Sequence, residues 1–336
     1  MNGIVLGVAG LVAFAVAALL GKLLIPWLRK LKFGQTILED GPTWHQQKQG
    51  TPTMGGLIFI GGFVVAALIC VALIYALNLR HVLVSTYEQV RFWGGIGLAL
   101  GCGAIGFADD YIKVVKKRNL GLTAWQKLLA QLFVSAAYAI VMYLYRGGVF
   151  SIPFIGRVDW GIWYIPFTIF VIIAMTNATN LTDGVDGLCG LTGFVASLAL
   201  MLLGGMVGTL SQSVLAAALA GALSGFLLYN LHPAQVFMGD TGSLFIGGAL
   251  TAIAFGLEQP FLLVPIGILY IAENLSVILQ VSYFKLTHGK RLFKMAPVHH
   301  HFEMCGWKEV KIVFVFSGIT ALMCILAWFG ITGRLT

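Results

Sequence analysis

Apolar residues run along this chain in long blocks broken by short polar intervals. A helix needs roughly 20 apolar residues to cross the hydrocarbon core of a bilayer. Ten blocks approach or exceed that length: 4–28, 54–77, 92–108, 127–145, 161–177, 188–209, 213–230, 243–257, 261–284 and 311–332. They predict an all-α, polytopic integral membrane protein of ten transmembrane helices, folded as a single membrane-embedded domain over residues 1–336. The polar intervals are too short for a soluble domain, and no internal repeat is visible. The first block is read as a retained helix, since it lacks the positive start and small-residue cleavage site of a signal peptide.

Composition agrees with the pattern. Hydrophobic residues make up 59% of the chain and charged residues 10%, and mean hydropathy is +0.91. Soluble domains carry about 25% charge, so this chain is expected to be solvated by lipid instead. The 42 glycines fit close helix approach in a membrane. The cysteines (Cys70, Cys102, Cys189, Cys305 and Cys324) are odd in number and lack a CxxC, so they read as thiols and not as a disulfide or zinc framework.

The net charge of +8 does not point to nucleic acid once its placement is considered. With ten spans, odd-numbered loops share one face. Loop one carries Arg29, Lys30, Lys32 and Lys48; loop three carries Lys113, Lys116, Lys117, Arg118 and Lys127; loop nine carries Lys285, Lys290, Arg291, Lys294, Lys308 and Lys311. The opposite face has Arg80, Arg91, Arg146, Arg157 and Arg334. Fifteen positives against five place the odd loops in the cytoplasm and both termini outside it.

The acids follow the positives. Glu39, Asp40, Asp109, Asp110, Asp183, Asp186, Asp240, Glu303 and Glu309 fall on the cytoplasmic face, with His45, His232, His288, His299, His300 and His301. Ionisable groups at the ends of apolar helices are costly and tend to be functional. Five polar elements stand out on this face. In GFADDYIK, Asp109 and Asp110 are adjacent, and neighbours on a helix do not share a face, so the pair is expected to have two roles; an Asp109–Lys113 surface pair is the plain alternative. In NATNLTDGVDG, Asn177, Asn180, Asp183 and Asp186 recur every third residue and would line one side of a helix. The EF-hand alternative fails because no bidentate Glu follows at the needed spacing. In NLHPAQVFMGDTGS, Asp240 lies between glycines just before a span, where a carboxylate suits Mg²⁺, and Phe237 is free to stack on a flat base or to join the core. In PVHHHFE, consecutive histidines suit phosphate contact or proton transfer better than zinc. In KQGTPTMGG, a Gly-rich helix start beside Lys48 can hold an anion but matches neither a Walker A loop nor a dinucleotide fingerprint.

These elements, in this order, resemble the phospho-N-acetylmuramoyl-pentapeptide transferase family of the polyprenyl-phosphate hexose-1-phosphate transferase superfamily. GTPTMGG, FADDYIK, NATNLTDGVDGL, VFMGDTGS and PVHHHFE carry the resemblance over nearly the whole chain. It implies transfer of phospho-N-acetylmuramoyl-pentapeptide from its UDP derivative to undecaprenyl phosphate, giving lipid I and UMP with Mg²⁺, as the first membrane step of peptidoglycan synthesis. It also implies ten helices, a homodimer, sensitivity to nucleoside antibiotics, contact with membrane lipid, and residence in the bacterial inner membrane with the active site facing the cytoplasm. By motif match, Asp240 is the expected Mg²⁺ ligand. Asp109 and Asp110 flank the reacting phosphates, with Asp109 as the base. Asp183, Asp186, Asn230 and Phe237 form a nucleoside pocket near Lys48. His299, His300 and His301 contact phosphates or sugar, His299 being counted with the catalytic groups. Lys113 and Lys127 neutralise phosphate. Thr53, Asn177, Asn180 and Gly239 complete the expected substrate-binding set. Two other readings remain open: an N-acetylglucosamine-1-phosphate transferase that shares most of the motifs, and a secondary transporter, against which stand the one-sided acids and the missing repeat.

Overall fold

The computed structural model describes residues 2–30, 48, 50–77, 79, 83, 85–116, 120–153 and 155–332. Lys32, Glu39, Asp40, His45, Arg80, Lys117, Arg118 and Arg334 lie outside the described residues.

The long helices are α1 (Asn2–Lys30), α2 (Gly56–Ala76), α3 (Thr86–Val115), α4 (Ala124–Arg146), α5 (Tyr164–Thr182), α6 (Leu188–Val207), α7 (Leu210–Asn230) and α8 (Gly239–Gly256). They are followed by α9 (Leu263–Ile266), α10 (Ile268–Leu286), α11 (Val298–Glu303) and α12 (Glu309–Thr332). Each of the ten expected blocks is helical. Among the described residues, eight helices are long and apolar enough to cross a membrane, and α9 with α10 makes a ninth if the bent pair is one span. The remaining block is α8. It is buried from Thr241 to Gly256, so its exterior is other helices and its own Gly, Ser and Thr content carries no lipid-facing penalty.

Small residues set the packing. α1 lies against α7, and α3 against α8. A Cβ on Gly221 would come 2.1 Å from the Gly10 carbonyl oxygen, and one on Gly106 would come 2.0 Å from that of Asp240. Such contacts bring backbones together where hydrophobic drive between helices is weak. Ser85 caps α3 by accepting from the Glu88 N–H at 3.1 Å, and Thr123 with Gln126 forms a capping box on α4. These caps satisfy N–H groups that a helix start leaves unpaired.

The run 261–284 breaks with a bend of 78°. The break is at Gly267, two residues past Pro265. Proline lacks the N–H for the next helical bond and crowds the preceding turn, so the interruption follows from sequence.

A short antiparallel hairpin joins α4 to α5, an interval that carries no strand signal in the sequence. Val149–Ile152 pairs with Gly156–Asp159, Phe150 facing Val158 across it. Its buried Phe150 packs on Trp160, Phe167 and Phe261. Four-residue strands are too short for alternation to stand out, and the aromatic packing that holds them is tertiary.

Two ends of the bundle are polar. One gathers the residues around Asp109, Asp186 and Asp240. The other holds Arg146, whose guanidinium donates to both oxygens of Glu258 at 2.8 Å. The last turn of α1 reaches the first end, where Arg29 donates to the Gln235 carbonyl at 3.5 Å. α12 begins there at Glu309. Asn2 and Thr332, the first and last described residues, therefore both lie toward the end away from the acids.

Candidate active site

The site is assembled from helix ends. Asp109 and Asp110 lie in the last two turns of α3, and successive residues on a helix point about 100° apart. The two carboxylates accordingly do different work. Asp110 is buried and accepts from the Asp240 N–H at 3.2 Å, the Thr241 N–H at 2.9 Å and the Thr241 hydroxyl at 2.7 Å. It caps the start of α8 from a neighbouring helix, where a carboxylate meets both unpaired N–H groups and the positive end of the helix dipole. Asp109 accepts from the Leu122 N–H at 2.8 Å and pairs with Lys113 at 2.5 Å. The expected i,i+4 pair with Lys113 exists, but it is one edge of a larger cluster.

Asp240 is the hub. Its Oδ2 takes Lys127 at 2.8 Å and Lys113 at 3.4 Å, and its Oδ1 accepts from the Asn180 amide at 2.9 Å. Asn180 also accepts from Lys127 at 3.2 Å and donates to Ser243 at 2.9 Å. Two lysines beside three carboxylates make a nearly balanced field with side-chain nitrogens that can be drawn onto an added anion. One carboxylate oxygen from each of Asp109, Asp110 and Asp240 falls within 4.8 Å of the others. The donor set is all oxygen, which suits Mg²⁺. Because Asp110 is engaged by α8, Asp240 and Asp109 are the groups with oxygens turned toward the lysines.

Gly239, at φ +68°, lets the chain turn into α8. A Cβ there would meet Asp110 Oδ2 at 2.5 Å and Thr53 Oγ1 at 2.6 Å, so Thr53 borders the site. The segment carrying Thr53 is held by backbone bonds: Phe237 donates to Pro52, Gly55 to Phe237 and Gly56 to Met238, at 2.8, 2.8 and 3.0 Å. Phe237 itself is partly exposed.

The NATNLTDGVDG stretch is not one continuous helical row. α5 ends at Thr182. Asn177 and Asn180 lie on it, Asn177 donating to Gln131 at 3.1 Å, while Asp183 and Asp186 fall in the following turn. Glycine in a left-handed conformation at Gly187, φ +83°, closes that turn before α6. Burial, then the negative charges of Asp240, Asp110 and Asp186, push the Asp183 carboxyl well above the ordinary carboxylate range.

Asp186 builds a second node. Its carboxylate meets Lys48 at 2.8 Å, His232 at 3.1 Å and the Ala234 N–H at 3.1 Å. Lys48 also reaches Glu309 at 2.7 Å. Burial alone would lower the Lys48 ammonium, but the Asp186 and Glu309 carboxylates outweigh it and hold it above its usual value. Asp186, His232 and Glu309 also converge closely enough for a metal, yet here Lys48 meets their charge. Asn230 is buried, and its amide donates to the Val236 carbonyl at 3.0 Å, so it supports the 231–236 turn. His232, Glu309, Gln131 and Glu273 have no individual role in the sequence reading. The signal for Glu309 was an acid opening an apolar block on the acidic face, and for Glu273 an acid inside one.

The histidine run divides. His301 accepts from the Lys294 N–H at 3.2 Å, and His300 lies 2.6 Å from Glu303. His299 is fully buried, against Gly184. The three do not present one surface.

Fold and site together define a polytopic membrane protein with a charged centre at one end of its bundle. The model for glycosyl transferase family 4 matches residues 92–258, and phospho-N-acetylmuramoyl-pentapeptide-transferase signature 1 matches residues 48–60. The chain is 46% identical over 318 residues to a phospho-N-acetylmuramoyl-pentapeptide-transferase of Clostridium perfringens, covering 94% of this chain and 96% of that one. It is 46% identical over 322 residues to that of Clostridium kluyveri, covering 95% and 96%. With that of Caldanaerobacter subterraneus subsp. tengcongensis it shares 43% over 325 residues, covering 96% and 98%. The chain belongs to the phospho-N-acetylmuramoyl-pentapeptide-transferase family and is a membrane transferase.

Proposed function

We propose that the protein transfers phospho-N-acetylmuramoyl-pentapeptide from its UDP derivative to undecaprenyl phosphate, releasing UMP and forming lipid I. The observation that carries this reading is the meeting of Asp109, Asp110 and Asp240 with Lys113 and Lys127 at one end of a membrane-spanning bundle. An oxygen of the lipid phosphate attacks the β-phosphorus of the sugar nucleotide, the new P–O bond forms, and the bond to the UMP oxygen breaks. Such a transfer demands alignment and charge neutralisation more than covalent help. Lys113 and Lys127 exchange their carboxylate partners for phosphate oxygens as substrates enter. Asp109 takes the proton of the lipid phosphate. Phe237 stacks on the uracil, and Asp183, Asp186 and Lys48 line the nucleoside side. Asp240, with Asp109 beside it, would hold Mg²⁺, which supplies charge stabilisation for the diphosphate when bound.

The excess of Lys and Arg at this end supports a cytoplasmic site in a bacterial inner membrane with both termini outside. We assign the ten helical blocks as ten spans, α8 being shielded by its neighbours, and the bend after Pro265 as the place where the prenyl chain enters between helices. The family supports a homodimer and sensitivity to nucleoside antibiotics. The test is UMP release by purified protein given both substrates, with and without Mg²⁺. Mg²⁺-dependent release supports the reading. Release from UDP-N-acetylglucosamine and none from the muramoyl nucleotide would replace it with the sister reaction.

A further inference from the structure

Glu273 lies on α10, one and a half turns past the bend, and is fully buried. An acid wholly enclosed among membrane helices is unfavourable unless something requires it. Its Oε2 accepts the backbone N–H of His299 at 3.3 Å and lies 3.1 Å from the same residue's Nδ1. That second contact is close but off the line of a hydrogen bond. Oε1 has no protein partner. The His299 ring is equally enclosed, its Nε2 also has no protein partner, and it faces the turn that carries Asp183 and Asp186. Gly184 makes that approach possible. A Cβ on it would stand 2.2 Å from Nε2.

Glu273, His299 and Gly184 therefore form a continuous contact from the broken helix to the turn. We infer that Glu273 is a positioning residue: it orients His299 from behind, and His299 in turn fixes the Asp183–Asp186 turn that lines the site. The Glu273 carboxyl stands on the Nδ1 side of the ring, which leaves Nε2 as the nitrogen toward Gly184. A simple anchor for α11 would need only the backbone bond. It would not need a carboxylate against the ring, nor a ring nitrogen turned to the backbone of another loop. The effect on the reaction rests on the function proposed above, whereas the link to the turn does not.

Two readouts on the full-length protein separate them. The first is amide hydrogen exchange in wild type, Glu273→Gln, Glu273→Asp, His299→Gln and the Glu273→Gln/His299→Gln pair. The inference expects exchange over 183–188 to quicken at least about tenfold in Glu273→Gln and His299→Gln. The double variant should go no further than either single, Glu273→Asp should recover in part, and the hairpin at 149–159 should stay unchanged. Unaltered exchange over 183–188, or multiplicative effects in the pair, overturns it, whatever the substrate proves to be. The second readout is UMP release. Glu273→Gln is expected to lower kcat/KM at least tenfold, chiefly by raising KM for the sugar nucleotide, with KM for the lipid phosphate unchanged. Equal loss for both substrates, or none, overturns the role in the reaction. If the buried variants do not fold, Gly184→Ala displaces His299 from the other side. Wild-type exchange and kinetics in Gly184→Ala would equally sink the inference. A wild type that releases no UMP refutes the proposed function and leaves the exchange result to decide the link.

Discussion

The two polar ends of the bundle pair their charges in opposite ways. At the far end, Arg146 closes on Glu258 with two bonds at 2.8 Å, Tyr87 adds a third contact, and Arg91 closes on Glu88 and on the Gly256 carbonyl. A guanidinium is a rigid fork that saturates a carboxylate. In the site, three lysines pair with the acids, and each is shared: Lys113 between Asp109 and Asp240, Lys127 between Asp240 and Asn180, Lys48 between Asp186 and Glu309. An ammonium on a flexible stem holds these acids in register without occupying all their oxygens, and can be handed to an incoming phosphate. Arginine clamps make a lock, and shared lysines make a centre that can exchange partners.

That difference can be broken directly. Asp240→Asn should lower kcat for UMP release by about 10³-fold, the scale of losing one preorganised electrostatic group, with the melting temperature in detergent nearly unchanged. Glu258→Gln should do the reverse, leaving turnover within about twofold while melting earlier, because Arg146 keeps a neutral partner worth roughly 1–2 kcal/mol less. Wild-type turnover in Asp240→Asn, or collapse of turnover in Glu258→Gln, would erase the contrast.

Lys127→Met should reduce kcat/KM by about 10²-fold, and Lys127→Arg should recover little, since a fork on Asp240 re-creates the lock. Recovery to wild-type rate by arginine would count against the need for a point charge. Gly106→Ala tests the close crossing of α3 and α8: its Cβ would stand 2.0 Å from the Asp240 carbonyl oxygen. Overpacking of this kind costs roughly 1–3 kcal/mol, and thermal unfolding together with kcat should both fall because the same shift moves Asp240. Smallest is Thr123→Ala, which removes the α4 cap that lies four residues before Lys127. A loss of about 1 kcal/mol in unfolding is expected, with turnover reduced less than in Lys127→Met.

Much of the site was legible before any fold. Adjacent helical residues point apart, and the carboxylates of Asp109 and Asp110 take different partners: Asp110 caps α8 and Asp109 meets Lys113 and Leu122. Asp240 was expected at a Gly-flanked helix start, and it is there. The row from Asn177 to Asp186 was only half right. Spacing suggests one helical face, but Gly184 and Gly187 end the helix, so Asn180 turns to Asp240 while Asp186 turns to Lys48. His299 showed the limit most clearly. Three consecutive histidines read as one polar patch, yet the first is enclosed against Gly184 while the others meet Glu303 and Lys294.

The sequence by itself determined the membrane fold, the helical blocks and the acidic residues of the centre, because each of these follows from hydropathy, from chain spacing or from the cost of an ion near lipid. Only the tertiary structure decided which acid meets which lysine, that α8 is shielded on all sides, and that Glu273 lies behind His299. Those pairings join residues more than 100 positions apart in the case of Lys113 and Asp240, and no local pattern encodes them. They depend on how closely glycines let the backbones of α3, α8 and the 183–187 turn approach.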